Sequence, residues 1–436
     1  MGIVLDQALI VDFWPPAVEA GALRIDGGII VERGPNVARE ADDEVVDCRG
    51  RLVLPRLVNG HTHLYSALAV GMPPPTETPQ TFPEILERIW WRLDRAHDAE
   101  SIETSARIGA LDALRCGTTT LIDHHASPNL IDGSLDLIER GIAAVGLRGI
   151  LCYETTDRHG PQGAQAGLEE NRRYLTRRID HPSTQFAAMV GAHAAFTLEE
   201  RTLEALAQLA GEFDRGVHIH VAEDSCDENR CQERFQILLI DHLANHGLLS
   251  KTDSLFVHCT HLDVEALTRL AGAGGVVAHC PRSNMNNAVG TLPMAATKVP
   301  YVLGTDGHGS DMFCEARLAY LAARQDGVSL APAQVLAGLA RAGEFASRIL
   351  DVRLGALQTG CVADVVLTDY RAATPLDSDN LAAHVVFALG AQHVCDVLAG
   401  GRWLLRARRV VVRDEEADRA GAQPITRRLW ERMEQQ

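Results

Sequence analysis

The residues best suited to chemistry in this sequence are histidines and acids that follow short apolar runs far apart along the chain. His61 and His63 lie two residues apart in RLVNGHTHLYS, His220 lies near the end of GVHIHV, and Asp306 ends YVLGTD. On extended backbone, residues i and i+2 project to the same side, so both imidazoles of the first segment can bind one ion. Three imidazoles and one carboxylate suit Zn²⁺ or Fe²⁺ and leave a coordination position for water. Because these ligands are remote in sequence, the pattern predicts one catalytic metal site rather than a local zinc finger.

Two further polar residues lie at or just after the ends of predicted strands, as these candidates do. Glu223 comes three residues after His220, and His258 ends SLFVH. A carboxylate at that position can take a proton from water and return it to a substrate. His258 either orients the water and stabilises the developing charge, or serves as a fifth ligand. We predict Glu223, His258 and Asp306 as catalytic residues, with Asp306 passing a proton towards the leaving group.

The alternation of strands and helices after Pro55 predicts the scaffold that positions these groups. Short apolar strands such as TTTLID, GLRGILC and AAMVGAH each precede a helical stretch, which indicates parallel strands joined by helical crossovers. Repetition of this unit favours a (β/α)₈ TIM barrel over residues 56–353, in which reactive groups lie at the carboxyl ends of strands. An open doubly wound sheet is the alternative. Within MPPPTETPQTFPEI, the prolines exclude a helix before Glu84.

Both ends of the chain have β-rich sequence instead. We expect residues 1–55 and 354–436 to form the two halves of a small β-sandwich, because chain termini often lie close together. The second half ends in a helix through ITRRLWERM.

Composition excludes several classes of partner. The chain has 436 residues, 46% of them apolar, and a formal charge of −17, which disfavours nucleic acid and anionic membranes. The ten cysteines are scattered, the first residues do not resemble a secretory leader, and no apolar run reaches the roughly 20 residues of a membrane helix. We therefore expect free thiols, a cytoplasmic location, no membrane partner and a small neutral or cationic ligand.

Several segments together resemble the amidohydrolase superfamily, in its cytosine, guanine and adenosine-type aminohydrolase branch: LVNGHTH, HIHVAE, VHCTHLD, AHCPRSNMN and LGTDGHGSDM. A closer similarity, to aminohydrolases associated with bacterial selenium metabolism, rests on WWRLDRAHD, IDHHASPN, YETTDR and RSNMNN. The resemblance implies a homodimeric hydrolytic deaminase of a purine, pterin or pyrimidine, with one divalent metal, zinc or iron. The implied ligands are His61, His63, His220 and Asp306, with Glu223 as proton shuttle and His258 as the water-orienting histidine.

The resemblance also bears on the substrate. His193, in GAHAAFT, matches a substrate-contacting histidine of the family, whereas Arg56 stands where the family usually has glycine. We predict His193 and Arg158 as substrate-binding residues. Other side chains that follow probable strands or border the pocket are further candidates, although capping, ion pairing or packing is the ordinary role of such residues: His124, His125, Glu154, Asp157, Trp90 and Trp91.

The scarcity of lysine separates branches of the superfamily. Many members bridge two metals with a carboxylated lysine on the fourth barrel strand, but this chain has only Lys251 and Lys298, and neither lies in AAMVGAH. We therefore expect a single metal. Two alternatives to a deaminase remain: hydrolysis of another leaving group, such as chloride or a cyclic amide, and a metal-binding accessory protein without catalysis.

Overall fold

The computed structural model describes residues 2–293 and 299–436. Its first part is a run of strands separated by tight turns, as the β-rich sequence predicts. These strands are β1 (Ile3–Phe13), β2 (Pro16–Asp26), β3 (Ile29–Gly34), β4 (Glu44–Asp47) and β5 (Leu52–Pro55). β1 pairs antiparallel with β2 and parallel with both β4 and β5.

Parallel strands then build a barrel whose residues are almost all buried. They are β6 (Leu57–Thr62), β7 (Thr118–His125), β8 (Arg148–Tyr153), β9 (Phe186–Ala188), β10 (Val190–Ala194), β11 (Val217–Val221), β12 (Leu255–His258), β13 (Val276–His279) and β14 (Tyr301–Leu303). β9 pairs with β8 and β10 with β11, so these two segments on either side of Met189 share one barrel position. The first and last strands meet through a parallel bridge between Thr62 and Asp306. This arrangement is the TIM-barrel-type α/β fold that the strand and helix alternation predicts.

Two glycines allow the first and last barrel strands to approach closely. A Cβ on Gly60 would lie 2.6 Å from a valine methyl of β14, and a Cβ on Gly304 would lie 2.8 Å from the backbone nitrogen of His61. The amides of Thr305 and Asp306 donate to the His61 carbonyl at 2.8 and 3.0 Å. The end of β14 is therefore fixed directly against the first of the predicted metal ligands.

Helices follow most barrel strands and pack against them. They are α1 (Phe82–Ile85), α2 (Trp91–Ala96), α3 (Ala99–Arg115), α4 (Ser134–Val145), α5 (Gly160–Asp180), α6 (Glu200–Phe213), α7 (Ser225–Phe235), α8 (Leu239–Asn245), α9 (Val264–Gly272), α10 (Pro281–Asn286), α11 (Met312–Gln325), α12 (Pro332–Leu350), α13 (Leu381–Phe387) and α14 (Glu415–Glu434). The exclusion of helix before Glu84 is wrong, because α1 begins at Phe82 with Pro83 in its first turn, where a missing N–H costs nothing. α14 likewise begins well before ITRRLWERM and contains Pro424.

The two chain ends meet in one hydrogen-bonded sheet. The later strands are β15 (Val365–Thr368), β16 (Val394–Ala399), β17 (Arg402–Arg406) and β18 (Arg409–Val410). β5 pairs parallel with β1 on one side and antiparallel with β15 on the other, which joins the two halves in a nine-stranded sheet. That these strands form two facing layers stays a prediction.

A buried ion cluster connects this sheet to the barrel. Asp364, just before β15, lies 3.3 Å from Arg56, just before β6, and also contacts Arg148 at the start of β8. The side chains of Arg56 and Asp364 are 0% and 1% exposed, and Asp364 also accepts a hydrogen bond from the Gly400 amide. Burial lowers the pKa of Arg56 to about 10. The arginine that departs from the family pattern therefore has a structural partner.

Replacing Asp364 with alanine is expected to destabilise the fold by about 3–5 kcal/mol, because two buried guanidinium groups lose their shared counter-charge. Equilibrium unfolding in urea measures the change. Asp47→Ala is the matched control, because Asp47 pairs with Arg49 on the exposed surface and water solvates both groups. Equal midpoints for the two variants would contradict a structural role for the buried cluster.

Candidate active site

The predicted metal ligands converge at one end of the barrel. His61 and His63 come from the end of β6, His220 from β11, and Asp306 from the turn after β14. The Nε2 atoms of His63 and His61 lie 3.0 and 3.6 Å from Oδ1 of Asp306. The ring of His220 lies 5.1 Å from that of His61 and 5.3 Å from that of His63, centroid to centroid. Folding thus brings together four side chains from three strands.

Each of the three histidines has its Nδ1 engaged on the side away from the centre. His63 donates from Nδ1 to the His124 carbonyl at 2.6 Å, and His220 donates to the His193 carbonyl at 3.0 Å. His61 Nδ1 shares a hydrogen bond of 2.8 Å with His218. Such contacts fix the tautomer and the ring orientation, so that Nε2 carries the lone pair that a metal requires.

The donor set fits a divalent cation. His61 Nε2 is buried and has no hydrogen-bond partner, which is costly for a polar atom unless an ion or ligand engages it. Burial lowers the pKa of His61 to about 3, which keeps this ring neutral and able to ligate. Burial also lowers the pKa of His63, but the adjacent Asp306 carboxylate outweighs it and raises the pKa to about 9. Either a proton or a metal cation between His63 and Asp306 balances the negative charge of the Asp306 carboxylate.

His258 and Glu223 lie side by side next to this cluster. The Nε2 of His258 is 3.3 Å from Glu223 and 4.0 Å from Asp306, while its Nδ1 donates to Asn284 at 2.8 Å. Asn287 donates to Glu223 at 3.1 Å, and burial raises the pKa of this carboxyl. A buried carboxyl with a raised pKa can hold and release a proton near neutral pH, as general acid–base catalysis requires.

Two of these residues sit on unusual backbone. Asp306 and His258 have φ angles of 54° and 69°, in the left-handed region that non-glycine residues adopt at a cost of order 1–3 kcal/mol. His258 is the last residue of β12 and Asp306 lies three residues after the end of β14, where this conformation turns the chain. Strain of this kind is concentrated at functional sites.

One histidine of the cluster is not among the predicted ligands. His124 is buried on β7, and its nitrogens, together with those of His61, His63 and His220, include a set of atoms within 4.8 Å of one another. Neither ring nitrogen of His124 has a hydrogen-bond partner, and its ring stacks on His218 at 4.5 Å. The sequence does not distinguish His124 from its neighbour His125. Only the direction in which each side chain leaves β7 shows that His124 faces the cluster.

The pocket next to the cluster is lined by both aromatic and acidic side chains. Its apolar lining comes from the segment after the barrel's first strand and from the loop after β10: Phe82, Leu86, Trp90, Trp91 and Phe196. Its polar lining includes Glu154, His193, Glu223 and Asp227. Arg158 is not part of this lining; it lies 4.5 Å over the ring of Trp91 and 3.3 Å from both Asp94 and Glu154. Such walls suit a flat, polar ring.

Comparison with known proteins identifies the family. The sequence profile of the amidohydrolase family matches residues 52–404. The chain belongs to the amidohydrolase family. The predicted superfamily is therefore confirmed, and with it a hydrolase that acts on C–N bonds.

Individual relatives within this family extend over nearly the whole chain. A 5-methylthioadenosine/S-adenosylhomocysteine deaminase from Desulforudis audaxviator is 30% identical over 94% of this chain and 95% of its own. A 5'-deoxyadenosine deaminase from Methanosarcina mazei is 27% identical over 98% of this chain and 99% of its own. The crystal structure of an adenosine deaminase from Xanthomonas campestris with bound zinc matches with a TM-score of 0.84 at 24% identity, over 100% of this chain and 99% of that one. At that identity the structural match supports the fold alone.

Other expectations have simpler outcomes. All ten cysteines are free. Among the described residues, no helix is long and apolar enough to cross a membrane. Lys251 pairs with Asp214 at the surface, and Lys298 lies outside the described residues.

Proposed function

We propose that this member of the amidohydrolase family is a metal-dependent hydrolytic deaminase of a small nitrogen heterocycle. The observation that carries the proposal is the pair of Glu223 and His258, 3.3 Å apart and directly beside the ligand cluster. Binding a metal requires neither residue, whereas hydrolytic deamination requires a group such as Glu223 that carries a proton from water to a ring nitrogen of the substrate. Relatives named as deaminases of adenosine-type nucleosides support the same chemistry.

We propose His61, His63, His220 and Asp306 as the ligands of one divalent ion, most readily zinc. When bound, such an ion acts as a Lewis acid and activates water at neutral pH. The zinc in the solved structure from Xanthomonas campestris and the nitrogen-rich donor set both support zinc over magnesium or calcium. The cluster with His124 keeps a fourth imidazole close to the same centre.

The protein's own residues divide the remaining work. Glu223 takes a proton from the attacking water at its carboxylate and delivers it to a ring nitrogen of the substrate. His258, held by Asn284, directs Nε2 towards the space between Glu223 and Asp306, where it stabilises charge that develops during attack. Asp306 accepts a proton and passes it towards the departing ammonia. The aromatic side chains bind the flat ring, and His193 contacts it. Arg158 stays a predicted substrate-binding residue; in the structure it contacts Glu154, Asp94 and Trp91.

The test is ammonia release from a panel of purines, pterins and pyrimidines with zinc-loaded enzyme. Enzyme stripped of metal by a chelator and then reloaded is the control. Turnover with ammonia supports the deaminase, whereas release of chloride or opening of a cyclic amide without ammonia supports the alternative hydrolase. No turnover of any kind by fully zinc-loaded protein would favour an accessory role.

We also propose that the chain divides into residues 1–55, 56–353 and 354–436. Pro55 ends β5 of the terminal sheet and Leu57 begins β6 of the barrel, while α12 ends at Leu350 before β15 returns to the sheet. A homodimer and a cytoplasmic location stay predictions.

A further inference from the structure

The wall of the pocket contains a carboxylate that the proposed proton transfers do not use. Glu154 follows the last residue of β8, lines the pocket and is 4% exposed. Its oxygens lie 3.3 Å from Arg158, 3.4 Å from His124 and 3.7 Å from His193. These contacts are long for a buried carboxylate, since charge-assisted hydrogen bonds are normally about 2.7–2.9 Å.

The charges around Glu154 do not balance. Arg158 is shared between Glu154 and Asp94, at 3.3 Å from each, and all three side chains are at least nine-tenths buried. One cation therefore faces two carboxylates in this cluster. A buried carboxylate that lacks a full set of donors is unfavourable until a donor reaches it.

The neighbouring histidine presents a second acceptor. His193 Nδ1 lies 2.6 Å from the hydroxyl of Thr197, and that hydroxyl donates its only hydrogen to the Ala194 carbonyl. His193 must therefore donate from Nδ1, which leaves a lone pair on Nε2. This Nε2 lies 3.7 Å from Glu154, too far for a hydrogen bond between them. Two acceptors thus lie side by side on the pocket wall.

The position of these acceptors identifies the part of a ligand that they contact. Glu154, His193 and His220 each place a nitrogen or oxygen within 4.8 Å of the others. His220 is a proposed metal ligand, so a group held by Glu154 and His193 lies next to the reacting carbon. The group therefore belongs to the heterocycle itself and not to a remote substituent.

We propose that Glu154 and His193 accept hydrogen bonds from a ring N–H beside the carbon that loses ammonia. The preferred substrates are then 2-amino-4-oxo heterocycles of the guanine or pterin type, in which the reacting carbon lies between a ring N–H and an unprotonated ring nitrogen. Glu154 and His193 bind the N–H, and Glu223 protonates the other nitrogen. In adenosine, the ring nitrogens beside the reacting carbon are acceptors only. Their lone pairs would face the lone pairs of Glu154 and His193, which is unfavourable. This inference rests on the proposed deaminase.

Glu154→Gln tests the proposal, because glutamine keeps the shape of the side chain but replaces one acceptor with a donor. We expect zinc-loaded wild-type enzyme to favour guanine or pterin over adenosine by at least about 10²-fold in kcat/KM, as in sites built around a substrate hydrogen bond. Glu154→Gln should reduce kcat/KM for guanine or pterin by about 10²-fold and leave that for adenosine unchanged or raised. Glu169→Gln, on the exposed face of α5, is the matched control.

Two outcomes in this assay would overturn the proposal. In one, Glu154→Gln leaves the ratio of the two substrates unchanged. In the other, the wild-type enzyme prefers adenosine, which would indicate that a protonated Glu154 donates to the ring.

Binding measurements separate this proposal from the proposed function. Calorimetry on zinc-loaded Glu223→Gln enzyme, which should bind without turnover, gives the Kd of guanine, pterin and adenosine with and without Glu154→Gln. Tighter binding of guanine or pterin that is lost with Glu154→Gln supports the proposal even if no ammonia is released and the deaminase fails. Equal binding of all three rings, or binding of none, overturns it whatever the activity.

Discussion

Replacing both His61 and His63 with alanine is expected to remove the metal ion and the activity together. The two imidazoles supply half of the proposed donor set, and the remaining His220 and Asp306 come from separate strands. Metal content should fall from about one ion per chain to less than about a tenth, since catalytic zinc is normally held by three protein ligands. Elemental analysis of protein loaded with zinc and then desalted measures the loss, and ammonia release measures the activity.

A second pair of histidines provides the control for this experiment. His242 and His246 lie one turn apart in and just after α8, with ring centroids 4.6 Å apart, and His242 stacks on Phe235 of α7. The double alanine variant at these positions removes the same number of imidazoles but should keep both metal and turnover. Unchanged metal content in the His61 and His63 variant would contradict the proposed ligand set.

Glu223→Gln is expected to keep the metal and lose most of the turnover. The amide preserves the size of the side chain and its contact with Asn287, but it cannot carry the proton that the ring nitrogen requires. A positioned proton shuttle contributes about 10²–10⁴-fold to the rate, so kcat should fall by that factor. Steady-state kinetics and metal analysis on the same preparation measure both quantities.

Glu233→Gln, on the exposed surface of α7, is the control for this substitution. It removes one negative charge at a similar place in the fold and should leave kcat unchanged. Turnover by Glu223→Gln at the wild-type rate would assign proton transfer to another group. Loss of metal together with turnover would instead make Glu223 a ligand.

The barrel was predictable because its strands are short, apolar and separated by helices. Details that depend on local chemistry were less accessible. The start of α1 at Phe82 differs from the prediction because proline is excluded from the interior of a helix but not from its first turn. The division of one barrel position into β9 and β10 around Met189 has no signal in the pattern of apolar residues.

Among the site residues, the sequence predicts those whose spacing constrains them. His61 and His63 are two residues apart on a strand, so their common direction follows from backbone geometry. His124 and Glu154 lack such a constraint, because their roles depend on neighbours from other strands. The lone pair that His193 presents beside Glu154 depends on the tautomer that Thr197 imposes, which only the folded structure reveals.

The contact between β6 and β14 determines when the site can exist during biosynthesis. His61 and His63 leave the ribosome early, whereas Asp306 and the Gly304 backbone that seats against His61 emerge some 240 residues later, by their positions in the chain. A nascent chain that ends before Asp306 contains the imidazoles but lacks the carboxylate that supplies the negative charge of the ligand set. Capture of the ion in its final geometry is thereby postponed until the last barrel strand has been translated and docked.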